Sequence, residues 1–201
     1  MTRKLSKSLF LFLLAVPDLA FAHSPIKGIN NFYNGALHPV LEPSHLLLLI
    51  ALGLFFGQQR LKEIEWALKL SIAAVVLGLV AAWFSLAGAQ VGTIILVSAA
   101  IIGLLIAASP PIPLYCYAII GVVAGFSLGL DSAQETLSGK EKFFGLFGSA
   151  VGIYFFSMYP IAFSEYCSRK TWQKIGVRVI GSWVAASALL VLALSMSPAR
   201  P

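Results

Sequence analysis

The chain has three histidines, His23, His38 and His45, and all of them fall in one short stretch that runs into the first apolar segment. Neutral imidazole is the commonest nitrogen ligand for zinc, nickel, cobalt and copper, so a cluster of this kind points to capture of a divalent transition metal. Glu42 lies three residues before His45 and shares a helix face with it if the helix begins early enough. His38 reaches the other two only if the stretch from Pro39 to Pro43 folds back on itself. If the chain is cut before His23, that residue offers its α-amino nitrogen beside its own imidazole, a pair able to chelate one ion alone. A second reading uses the same residues without a metal: a His-Pro turn, with His and Glu solvating themselves at a headgroup layer. No Ser/His/Asp or HExxH arrangement and no phosphate-binding glycine loop occurs in the sequence, so no enzyme and no ATP-driven pump is expected.

The elements that must position these residues are membrane helices. Of 201 residues 59% are hydrophobic and only 11% are charged, with a mean hydropathy of +0.89. A soluble domain carries about 25% charged residues, so both a water-soluble domain and a disordered chain are excluded. The formal charge of +6 does not imply a nucleic-acid partner. The basic residues sit in short clusters between apolar runs, where orientation in a bilayer accounts for them, and lipid is the expected partner.

Residues 1–22 read as a cleaved signal peptide. Arg3, Lys4 and Lys7 precede an apolar stretch, and Ala20-Phe21-Ala22 forms an A-x-A-type cleavage site. An uncleaved anchor is the alternative, disfavoured because Pro17 and Asp18 interrupt the run. The remainder, 23–201, is expected to be one polytopic membrane domain of six helices, near 45–57, 66–87, 91–108, 114–130, 143–163 and 175–196. The first is short, covering about 20 Å of a roughly 30 Å hydrocarbon core. It is expected to start at Pro43, with 37–42 as irregular backbone near membrane depth.

The signal peptide places His23 outside the inner membrane. Arg60, Lys62, Lys69, Arg169, Lys170, Lys174 and Arg178 then lie on the cytoplasmic side, against Lys27, Lys140, Lys142 and Arg200 outside. This bias obeys the positive-inside rule and puts both termini on the periplasmic side of a bacterial inner membrane. Gly121, Gly125 and Gly129 form a ladder that lets two helices approach closely, and their helix is expected to be central in the bundle. Trp66, Trp83, Trp172 and Trp183 read as interfacial anchors. Cys116 and Cys167 fall on different levels, so a disulfide is not expected.

The mature N-terminal His, Gly35-Ala36-Leu37-His38-Pro39 and, six residues later, His45-Leu46-Leu47 resemble the HupE/UreJ family, with Ala51-Leu52-Gly53-Leu54 similar to the Ala/Gly-Leu stretch that follows. The resemblance implies an inner-membrane, permease-like protein for nickel or cobalt. Two departures stand out. Glu42 and Ser44 replace the Gly and Asp of the family pattern, and the later His-rich stretch corresponds to Ala124–Asp131, which keeps its glycines and a terminal acid, Asp131, but neither histidine. The expected metal site is therefore His23, His38, Glu42, His45 and Asp131. Its cargo would be Ni, Co, Cu or Zn, with no tightly bound cofactor. The alternative is a non-transporting membrane subunit or assembly factor that has lost the mid-bundle ligands and works with other membrane subunits.

Overall fold

The computed structural model describes residues 28–196 apart from 89, 135 and 136; the proposed signal peptide and His23 lie outside the described residues. Seven helices follow one another: α1 (Asn31–Leu41), α2 (Pro43–Gly57), α3 (Leu61–Trp83), α4 (Val91–Ala108), α5 (Leu114–Leu130), α6 (Gly139–Cys167) and α7 (Thr171–Met196). No strand occurs among the described residues. Four helices, α3, α4, α6 and α7, are long and apolar enough to cross a bilayer, and α5 is a shorter apolar helix of 17 residues. Helices α1 and α2 pass the same test together but meet at a 70° bend.

Local chemistry sets most of the boundaries. The Asn30 side chain caps α1 by accepting the N–H of Phe32 at 2.7 Å. Pro43 opens α2 at a position where its missing N–H has no cost, and it restricts Glu42 to extended backbone (φ −84°, ψ 113°). Helix α4 ends at Ser109 in the left-handed region (φ 49°, ψ 48°), immediately before Pro110 and Pro111. The C-terminus of α3 receives Lys142 from the start of α6, whose Nζ donates to the Trp83 carbonyl at 2.9 Å. A cation there meets the negative end of the helix dipole.

The expected irregular backbone over 37–42 is not found. Residues up to Leu41 are helical, and only Glu42 departs from helix. Pro39 sits inside α1, which removes one helical donor and should weaken the helix. The carbonyl it leaves without a partner, that of Gly35, accepts a hydrogen bond from Ser149 of α6 instead.

Three tight pairs, α3 with α5, α1 with α6 and α4 with α7, surround α2, which packs against every other helix. Eleven of the fifteen residues of α2 are buried, as its all-round apolar sequence requires. The central element is thus α2, whereas the helix of Gly121, Gly125 and Gly129 stands to one side against α3. A Cβ added to Gly125 would lie 2.6 Å from the Ser71 carbonyl, and one at Gly129 would strike the Val75 carbonyl. The ladder is a seam within the chain. A second seam joins α1 to α6, where Gly148 and Gly152 meet the backbone of Phe32 and Ala36.

Large apolar side chains such as Leu77, Phe155 and Leu190 point outward and are more than half exposed, the face a multi-pass membrane protein presents to lipid. Trp66, Trp83 and Trp172 lie near helix ends, but Trp183 lies halfway along α7. It is exposed, at mid-helix and not near an end.

Candidate metal centre

The break at Glu42 brings two of the sequence-predicted residues, His38 and His45, together. Helices α1 and α2 both descend along α6, so the 70° bend folds the last turn of α1 onto the first turn of α2. The rings of His38 and His45 meet edge to face, with centroids 5.0 Å apart. The chain thus bends by 70° at Glu42, with Pro39 still inside α1, and does not fold back between the two prolines. Glu42 occupies the break itself, where its Oε1 accepts the Ser44 hydroxyl at 3.2 Å.

His45 is fully buried. Its Nε2 lies 2.9 Å from Oδ2 of Asp131, the residue that closes α5. A carboxylate only accepts, so Nε2 carries the hydrogen and donates it. That assignment leaves Nδ1 with the lone pair, and Nδ1 is buried without a hydrogen-bond partner among the described residues. Asp131 is a quarter exposed, so the carboxylate keeps contact with the surface while it fixes the imidazole. A carboxylate that holds one imidazole nitrogen and raises the basicity of the other is the usual outer partner of a metal-binding histidine.

The backbone adds to the electrostatics. The C-terminal ends of α1 and α5 reach this region, and their partial negative charge favours a cation. The N-terminus of α2 opposes it, and the Asp131 carboxylate offsets that opposition. Among the described residues, no group of three or more His, Cys, Asp and Glu side chains is gathered for holding a metal ion. What is present is a bonded His45–Asp131 pair with the His38 ring against it.

A model of the HupE / UreJ protein family matches residues 11–191. The chain belongs to the HupE/UreJ family. No curated protein and no solved structure matches it. HupE/UreJ proteins form a membrane family generally related to nickel and cobalt transport and not an enzyme family.

In this HupE/UreJ protein, two polar residues at the centre were not among the expected site residues. Ser44 anchors Glu42 at the helix break. Ser149 supports α1 just before His38 and is fully buried. Its place within Gly145-x-x-Gly148-Ser149-x-x-Gly152 is the one available pointer, since small residues at this spacing mark a close helix contact.

Proposed function

We propose that this HupE/UreJ protein is an inner-membrane, permease-like protein that handles a divalent transition metal on its outer face. Nickel and cobalt are the first candidates and copper the next, since affinity order alone favours copper at mixed N/O sites. His38 and His45 supply imidazole nitrogens, Asp131 holds His45 in the ligating tautomer, and Glu42 contributes a carboxylate at the helix break. His23, with its own α-amino group, is the capture residue outside. Both termini are periplasmic in this reading. The observation that supports it is the His38 ring set against the Asp131-bonded His45 at a broken helix, the kind of place where transporters build ion sites.

A specific feature favours a second reading. Below His45 the central helix continues as Leu48, Leu49, Leu52, Phe55 and Phe56, none more than 5% exposed. The helices after α2 contain no histidine. A sealed apolar column suits a membrane subunit or assembly factor that binds metal at the mouth and passes it to another subunit.

The test is metal titration of the processed protein in detergent with Ni²⁺, Co²⁺, Cu²⁺ and Zn²⁺, followed by flux into vesicles. Binding lost in both His38→Ala and His45→Ala, together with flux, supports the permease. Binding without flux supports the subunit. No binding of any of the four ions rejects both.

A further inference from the structure

The opposite end of the molecule carries a cavity of different chemistry. It has a volume of about 190 Å³ and is lined among others by Gln58, Gln59, Ser109, Ser168, Lys174 and Arg178. Phe55 and Tyr117 also contribute to its walls, and their rings stack at 4.3 Å. The cavity lies 13 residues along α2 from His45, about 20 Å at the helical rise. It contains no carboxylate.

Its hydroxyls and amides are largely engaged. Gln59 donates to the Tyr117 hydroxyl at 2.7 Å, Ser109 to the Ile106 carbonyl at 3.0 Å and Ser168 to the Ser164 carbonyl at 2.8 Å. The cations are not neutralised. Lys174 and Arg178 stand four apart on α7 and so share a face. Neither forms an ion pair among the described residues. Arg178 uses Nε to donate to the Ala107 carbonyl at 2.7 Å, which orders the guanidinium and leaves its terminal N–H groups for another acceptor. A divalent cation is repelled by this lining. A phosphate-type anion is matched by it, through a fork of guanidinium donors beside a mobile ammonium point charge.

We propose that this cavity binds a phosphate-type anion, supplied either by the headgroup of an anionic phospholipid or as free phosphate. Basic pockets between helix ends on the cytoplasmic side are where anionic headgroups bind. Trp172 and Tyr115, both at this end, are 68% and 60% exposed and suit the headgroup layer. The site is independent of metal handling at His45.

The test is thermal unfolding of the full-length protein, delipidated in an uncharged detergent. Phosphatidylglycerol, phosphatidylcholine and inorganic phosphate are titrated separately. Phosphatidylglycerol is expected to raise Tm saturably and phosphatidylcholine to leave it unchanged. Lys174→Gln, which leaves the Arg178–Ala107 bond intact, should raise the half-saturating concentration about fivefold, and Lys174→Gln/Arg178→Gln about twentyfold. Lys140→Gln, at the other end, should change neither. A rise with inorganic phosphate that the same variants weaken identifies free phosphate as the source and upholds the site. The site is overturned if neither anion raises Tm, if phosphatidylcholine acts equally, or if Lys174→Gln responds as the parent does.

Discussion

The Ser149 hydroxyl donates a hydrogen bond of 3.2 Å to the Gly35 carbonyl, four residues ahead of Pro39. In an unbroken helix that carbonyl would accept the N–H of residue 39, which proline lacks. The same hydroxyl reaches the Gly145 carbonyl at 3.2 Å, so a single buried serine ties the weak point of α1 to α6. This tie allows a helix containing an internal proline to persist up to Leu41 and hold His38 against His45.

A double-mutant cycle reads this dependence. Ser149→Ala should lose about 1 kcal/mol of stability in detergent, the usual worth of such a bond. In a Pro39→Ala background the main-chain N–H returns to Gly35, and the loss should shrink by more than half. Equal losses in both backgrounds, measured by thermal unfolding, would mean that Ser149 does not replace the missing donor.

Asp131 acts on His45 through one oxygen, so its replacements should separate. Asn keeps an acceptor for the Nε2 hydrogen, and Asp131→Asn should bind nickel or cobalt with modest loss. Asp131→Ala frees the ring and should weaken binding by roughly 10- to 100-fold, the scale of losing an orienting partner. Calorimetric titration of both variants decides; identical affinities would remove Asp131 from the centre.

Pro43 keeps Glu42 extended, and the bend follows from that restriction. Pro43→Ala permits α1 and α2 to join into a straighter helix, parting His38 from His45. Helical circular dichroism should hold or rise slightly, while metal affinity falls on the order of tenfold. Unchanged affinity would show that tertiary packing alone sets the bend.

Two glycines give opposite expectations. A Cβ at Gly129 meets the backbone of α3, whereas one at Gly92, in the first turn of α4, meets nothing within 4 Å. Gly129→Ala should therefore cost about 1–3 kcal/mol through overpacking. Gly92→Ala should be neutral or stabilise by up to about 1 kcal/mol, because alanine is the better helix former. Tm values of the two variants check the contrast.

The sequence by itself determined the apolar elements and several of their ends. The limits of α4 and α5 match the runs read at 91–108 and 114–130, because Ser109 with the prolines at 110, 111 and 113 stops one helix and starts the next through covalent constraint alone. Hydropathy likewise marked the three other long helices, α3, α6 and α7, since an apolar run of that length has no other stable state in lipid. The histidines stood out for a similarly local reason: histidine is rare here and confined to one stretch.

What only the tertiary structure decided depends on distant neighbours. Pro39 argued against helix, and the donor that rescues α1 lies 114 residues away from Gly35. His45 and Asp131 are 86 residues apart, so their bond has no period or spacing to be read. The central place of α2 also went unread, because a glycine ladder signals close packing without saying which helix fills it. Local chemistry fixes where the backbone can bend and which stretches leave water; which of those stretches then touch is set by the fit of surfaces far apart in the chain.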